Sequence, residues 1–130
     1  MVIIFTNLII ENKYDKKSEL KNKVIFVTGG TGSFGWGAIC WKDFEIFISG
    51  ALLIKPDMSH IKTWPNYYIE NETYVPYKWD ASDLKSTIEQ FYSNTDLSER
   101  IACAGQDKYK YYNVFNNPEP FLNRFQEIFN

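Results

Sequence analysis

A glycine-rich turn between an apolar run and a helical pattern constrains the fold of this chain more than any other feature. Residues 24–28 form a continuous β-branched and aromatic run, which is typical of a buried parallel strand. Gly29, Gly32 and Gly35 follow it with the spacing GxxGxxG. Residues without Cβ allow a strand to turn sharply into a helix while the backbone approaches a phosphate. The pattern therefore predicts a strand, a phosphate-binding turn and a helix in succession.

The residues after this turn complete a strand–helix–strand unit. Their periodicity predicts a helix over residues 36–49, and Gly50 suits the position after its end, where φ is often positive. One side of this helix carries Ile39, Phe44, Phe47 and Ile48. Residues 51–55 then predict a second buried strand, which Pro56 ends. The connection between the two strands is expected to be right-handed.

The flanking segments divide the chain into a short N-terminal part and one domain. Residues 2–10 suit a strand, and residues 11–23 are polar, as in a linker or a short surface helix. We therefore expect residues 1–23 to form a strand and linker, and residues 24–130 to form the domain. Residues 73–79 predict a further strand, which Pro76 confines to a sheet edge.

Three helices are predicted to close the chain, each with an apolar stripe at helical spacing. The predicted capping residues are Asp80 or Ser82, Thr95 or Asp96, and Asn117, the last followed by Pro118 at the first helical position. The predicted inward-facing residues are Leu84, Ile88 and Phe91, then Leu97, Ile101, Ala104 and Phe115, then Phe121, Phe125, Ile128 and Phe129. Such stripes indicate core packing rather than a cofactor site.

Composition excludes several classes of partner. The net charge of −2 disfavours binding to the phosphate backbone of nucleic acids. One histidine cannot build a histidine-based metal site, and no acidic ligand pair is evident, so no metal is expected. Cys40 and Cys103 form no CxxC motif and are interpreted as reduced core residues of a cytoplasmic protein. No apolar run approaches the roughly 20 residues that a membrane span needs.

Residues 23–35 resemble the NAD-binding start of extended short-chain dehydrogenase/reductases, in particular nucleotide-sugar dehydratases and epimerases of the capsule-polysaccharide type. The resemblance implies that Gly29, Gly32 and Gly35 cradle the NAD(P) pyrophosphate and that Asp57 binds the ribose hydroxyls. Tyr74 and Lys78 have the spacing of that family's catalytic Tyr-x-x-x-Lys. Because Pro76 lies between them and breaks any helix, we interpret them as a chance match on an edge strand.

A longer stretch, residues 34–130, resembles the C-terminal domain of bacterial GT-B glycosyltransferases of the group 1 and spore-protein types. The resemblance rests on residues 34–45, 50–60, 64–66, 73–76 and 79–84. It implies a nucleotide-diphosphate sugar as ligand, with a glycine-rich loop at the diphosphate and Glu45 at the ribose. The implied binding residues are Gly32, Gly35, Trp36, Gly37, Glu45 and Lys55. Gly37 and Ala38 stand where many relatives carry a second acidic residue, so no catalytic residue is assigned.

The two resemblances together predict a Rossmann-like three-layer α/β domain with a short parallel sheet. We expect it to bind a nucleotide sugar for glycosyl transfer, in surface polysaccharide or glycoconjugate synthesis, and to be incomplete without an acceptor-binding domain or another chain. No cofactor is expected in this interpretation. An NAD-dependent dehydratase or epimerase fragment is one alternative, with NAD(P) as cofactor. An inactive fragment or an interaction module is the other.

Several residues keep a plainer interpretation beside the functional one. Lys55 and Asp57 close a strand where ligands of open α/β sheets bind, but a surface ion pair between them is the alternative. Glu45 can be an ordinary solvated helix residue instead of a ribose ligand. Asp43 is expected on a solvated helix face with Lys42, and His60 in a loop without a function. Three tryptophans are expected either to stack on a base or to pack against a missing domain: Trp36, Trp41 and Trp64.

Overall fold

The structure is a computed structural model that describes residues 2–5, 24–27, 39 and 41–130. Within these residues, four strands form one parallel sheet in the order β1-β2-β3-β4: β1 (Val2–Phe5), β2 (Val24–Val27), β3 (Leu52–Pro56) and β4 (Val75–Tyr77). The helices are α1 (Trp41–Ser49), α2 (Leu84–Ser93), α3 (Thr95–Tyr111) and α4 (Glu119–Phe129). The predicted α/β class and the three closing helices are confirmed.

The strand–helix–strand unit lies where the sequence predicts it. Strand β2 pairs in parallel with β3, with Ile25 opposite Leu52. Pro56 is the last residue of β3 rather than the residue that stops it. Its missing N–H costs little there, because Asp57 continues the pairing with β4 by donating its N–H to the carbonyl of Tyr77.

The predicted edge strand is shorter than expected but lies at the expected place. Strand β4 spans Val75–Tyr77, is last in the strand order and contains Pro76, which a terminal strand tolerates. Gly50 has a φ of 73°, which confirms it as the left-handed residue that ends α1.

The core consists of two apolar clusters that share strand β3. Alternate side chains of a strand point to opposite faces, so Leu52 and Ile54 join one cluster and Leu53 joins the other. The first cluster contains the predicted residues Phe91 and Ile101, with Leu84, Ile88 and Leu97 packed against it. The second cluster contains Ile46, Phe47, Ala51, Met58, Tyr68 and Tyr74.

Several predicted core positions are wrong. Ile39 and Ile48 are exposed, because α1 begins only at Trp41 and packs through Ile46 and Phe47. Phe115 lies beyond the end of α3 and is 98% exposed. Cys103 is exposed on α3 and free, whereas Cys40 lies outside the described residues.

Helix α4 forms at the predicted place, but its apolar stripe is not part of the core. No residue of α4 is buried. Phe125 and Phe129 pack on each other along the helix, with ring centroids 4.4 Å apart. The exposed residues of the stripe are Phe121, Phe125, Ile128 and Phe129. Helical spacing predicts that this face is apolar; it does not predict that another element covers it.

The helix caps differ from the predicted ones by one to three residues. Helix α3 is capped by Asn94, whose side chain accepts the N–H of Leu97, rather than by Thr95 or Asp96. Asp83 precedes α2 without a side-chain cap bond. Pro118, not Asn117, occupies the N-cap position of α4.

Candidate functional site

An open cavity lies at the carboxyl ends of β3 and β4. Parallel strands end at the same edge of the sheet, so the residues that follow them meet there. The cavity has a volume of about 330 Å³. Its lining residues are Asp57, Glu70, Pro76, Tyr77, Lys78, Trp79 and Asp83. Ligands of open α/β sheets bind outside the carboxyl ends of the strands, so this edge is the expected position of a binding site.

A hydrogen bond and a ring contact help to hold Trp79 at the cavity. Its indole Nε1 donates a hydrogen bond to the carbonyl of Asp57 at 3.0 Å. The ring of His60 packs edge-on against it, with centroids 5.7 Å apart. Trp79 nevertheless remains 40% exposed, so part of its indole faces solvent. His60, predicted to have no role, therefore supports the position of Trp79.

The carboxylates at the cavity are also fixed by local hydrogen bonds. Asp57 accepts the backbone N–H of Ser59 at 2.8 Å and its hydroxyl at 3.0 Å. Asp83 accepts the backbone N–H of Lys78 at 2.8 Å, which ties the start of α2 to the end of β4. The interpretation of Lys55 and Asp57 as a surface ion pair is wrong, since Lys55 pairs elsewhere.

A buried ion pair joins α1 to β3 beside this edge. The Nζ atom of Lys55 lies 2.7 Å from Oδ2 of Asp43, which also accepts the hydroxyl of Tyr68 at 2.6 Å. Asp43 is 0% exposed and Lys55 is 4% exposed. The prediction that Asp43 lies on a solvated face is therefore wrong. The first turn of α1 faces the sheet, and the ammonium of Lys55 compensates the buried carboxylate.

The loop after β3 rests on buried tyrosines. The hydroxyl of Tyr74 accepts the N–H of Met58 at 3.0 Å, and burial raises the pKa of this phenol. Tyr74 also packs edge-on against Tyr68, with centroids 5.6 Å apart. It lies outside any helix, which agrees with the interpretation of Tyr74 and Lys78 as a chance match.

The outward side of α1 carries an aromatic ring beside a carboxylate. Trp41 is 79% exposed, and Glu45 is exposed one helical turn later. Residues four apart on a helix are surface neighbours, so the indole and the carboxylate share one face. Ile48 continues this face towards the end of the helix. The third tryptophan predicted to stack on a base, Trp64, is exposed and packs edge-on against Tyr112, 5.7 Å away.

The glycine-rich turn lies outside the described residues. This applies to Gly29, Gly32, Gly35, Trp36 and Gly37. The predicted phosphate contacts of the turn therefore remain predictions. Of the implied binding residues, the structure describes Glu45, which faces solvent, and Lys55, which is turned towards Asp43.

Within the part of the chain that the structure describes, no three His, Cys, Asp or Glu side chains are grouped as metal ligands. Among the same residues, no helix combines the length and apolar character needed to cross a membrane.

Sequence reasoning missed two features of the site. Asp43 lies three and four residues before Ile46 and Phe47, on the face that packs inward, and this spacing was a usable signal for its burial. Trp79 and Asp83 follow β4, and only the pairing of β3 with β4 brings them to Asp57. No family model matches the chain, and no curated protein or solved structure shows significant similarity to it.

Proposed function

We propose that this chain binds a nucleotide-diphosphate sugar at the carboxyl edge of its sheet, in the manner of a GT-B glycosyltransferase donor domain. The observation that carries the proposal is the exposed face of α1, where Trp41 and Glu45 lie one turn apart. In the sequence, this helix follows a glycine-rich segment that itself follows the parallel strand β2.

We assign each part of the nucleotide to one feature of the sequence or of α1. A base stacks on an exposed aromatic ring with about 1–3 kcal/mol, which suits Trp41. The carboxylate of Glu45 can accept two ribose hydroxyls at once. The diphosphate would lie at the glycine-rich turn, where backbone N–H groups and the positive end of the helix favour an anion.

The buried ion pair gives Lys55 a supporting part in this proposal. Its ammonium lies 2.7 Å from Asp43, two residues after Trp41, and therefore fixes the start of α1 against β3. The apolar clusters that share β3 through alternate side chains support a Rossmann-like, three-layer arrangement around the same edge. Transfer in surface polysaccharide or glycoconjugate synthesis would be the cellular role, with the acceptor held by another domain or chain.

A dehydratase or epimerase that binds NAD is the second candidate, and the position of Asp57 favours it. Asp57 follows β3, the strand next to β2, about 20 residues after the glycines. A carboxylate at this point binds the adenosine ribose in dinucleotide-binding folds. Its two bonds from Ser59 leave it further lone pairs for that purpose.

Titration calorimetry or ligand-observed NMR with UDP, GDP and NAD separates the two candidates. We expect a nucleoside diphosphate to bind more tightly than NAD, and Glu45→Ala to weaken it about 10- to 150-fold, as loss of a charged hydrogen-bond partner does. Glu99→Ala, which removes an exposed glutamate from α3, is the matched control.

The opposite pattern would support the second candidate: tightest binding of NAD, abolished by Asp57→Ala and unchanged in Glu45→Ala. Binding of none of the three nucleotides would contradict both candidates and leave an inactive fragment or an interaction module.

A further inference from the structure

The charges at the cavity at the ends of β3 and β4 do not suit a phosphate. Among the described residues, three acidic ones, Asp57, Glu70 and Asp83, line it together with one basic residue, Lys78. Like charges brought together in a binding site oppose association. A diphosphate placed among these carboxylates would therefore be repelled.

The same carboxylates are strong acceptors for neutral hydroxyl groups. An ionised carboxylate offers about four acceptor positions. Asp57 accepts two hydrogen bonds from Ser59, and Asp83 accepts one from Lys78. Both therefore have capacity for hydroxyl donors from a ligand, and such charge-assisted bonds are stronger than neutral ones. Glu70, which is exposed at the cavity, adds a third acceptor.

Trp79 gives the cavity an apolar surface of fixed orientation. Its bond to the Asp57 carbonyl and the edge contact of His60 hold the indole, and 40% of the residue is exposed. An aromatic ring and several acceptor residues in one cavity match a sugar, which has C–H groups on its faces and hydroxyls at its rim. The volume of about 330 Å³ lies at the lower end of the range for small-molecule sites.

From this combination we infer that the cavity binds the sugar ring of the ligand, with Trp79 under the ring and Asp57, Glu70 and Asp83 accepting its hydroxyls. The inference rests on the proposed function, since it assigns the sugar of the nucleotide-diphosphate sugar. Asp43 in the first turn of α1 contacts Lys55, two residues before Asp57, so the ion pair joins α1 to the strand that ends at the cavity. In this assignment the nucleoside lies at α1 and its sugar in the cavity.

Saturation-transfer NMR on the whole chain tests this assignment with two separate probes. The first is a panel of methyl glycosides of glucose, galactose and N-acetylglucosamine, and the second is UDP. We expect the chain to transfer saturation to at least one glycoside, and inorganic pyrophosphate to leave that signal unchanged. Displacement of the glycoside by pyrophosphate, or no transfer to any glycoside, would overturn the inference.

Variants then locate the sugar. We expect Trp79→Leu and Glu70→Gln to lower the affinity for the glycoside about tenfold or more and to leave the affinity for UDP unchanged. Trp64→Leu and Glu72→Gln replace an exposed residue of the same type outside the cavity lining and are expected to change neither. Glu70 is exposed, so its variant remains informative even if replacement of Trp79 disturbs folding.

The outcomes distinguish this inference from the proposed function. Binding of UDP with no effect of either cavity variant on glycosides would overturn the sugar site and keep nucleotide binding. Binding of glycosides, lost in the cavity variants, without binding of any nucleotide would uphold the sugar site and contradict the proposed function. Equal weakening of glycoside and UDP by Glu70→Gln would also overturn the inference, because the cavity would then not be specific for the sugar.

Discussion

Removal of one partner of the buried ion pair should destabilise the fold strongly. In Asp43→Ala, the ammonium of Lys55 stays buried without its carboxylate, and the hydroxyl of Tyr68 loses its acceptor. The side chains of Asp43 and Lys55 are 0% and 6% exposed, so water cannot replace the missing group without rearrangement. Breaking a buried pair from one side typically costs about 3–5 kcal/mol, and we expect a loss of that size in the free energy of unfolding.

Replacing both partners should cost much less than the sum of the single changes. Asp43→Ala combined with Lys55→Met removes both charges, and the methionine keeps most of the apolar volume of the lysine. Replacement of a buried pair by apolar groups is often close to neutral. We therefore expect the double variant to be more stable than Asp43→Ala alone, with a coupling energy of about 2–3 kcal/mol.

Urea unfolding followed by far-UV circular dichroism measures all four corners of this cycle. The exposed pair of Lys85 and Glu89, 3.9 Å apart, is the internal control. Its side chains are 90% and 65% exposed, and Glu89→Ala should cost less than about 0.5 kcal/mol. A cost of Asp43→Ala as small as that of the control, or strict additivity of the two single changes, would refute the reasoning.

Three further predictions test packing and backbone at other points, by the same urea titration. Gly105→Ala should lower stability by about 1–3 kcal/mol, since a Cβ there would lie 2.7 Å from the carbonyl oxygen of Thr73 and this overpacking outweighs the roughly 1 kcal/mol gained in helix propensity. An unchanged or raised urea midpoint would contradict this prediction. Ala81→Gly should raise stability by about 0.5–1 kcal/mol, because Ala81 has a φ of 57°, and a lower midpoint would show that the strain lies elsewhere. Phe91→Ala should lower the free energy of unfolding by about 3–5 kcal/mol and Phe125→Ala by less than about 1 kcal/mol, because the first ring is buried and the second is exposed. Equal losses would mean that α4 packs against the domain.

Local sequence patterns were sufficient to predict the elements around strand β3. A β-branched run, a helical period and a glycine at the positive-φ position each depend on a few neighbouring residues, and Gly50 and the β2–α1–β3 unit follow from them. The caps show the limit of such patterns. Asn94, Thr95 and Asp96 can all cap a helix, and the sequence pattern does not fix at which of these adjacent residues α3 begins.

Features that depend on distant partners could not be predicted in this way. The burial of Asp43 requires the ammonium of Lys55, twelve residues later in the chain. The cavity requires β3 and β4 to pair, which brings Trp79 beside Asp57. For α4, the sequence correctly predicts the helix and its apolar face. It does not predict that this face stays exposed, because burial depends on whether another element covers the face.

The buried ion pair also joins the two elements that carry the proposed site. Trp41 and Glu45 lie on α1, whereas Asp57 and the cavity follow β3, so the site spans two elements. A helix that packs only through apolar side chains can adjust its position at small cost, since such contacts are not directional. The bonds of Asp43 to Lys55 and Tyr68 are directional and inaccessible to water, and they fix the first turn of α1 on the strand that leads to Asp57. In the proposed site, the ion pair would therefore fix the start of α1 relative to the strand that leads to the cavity, as preorganised recognition of a ligand by two elements requires.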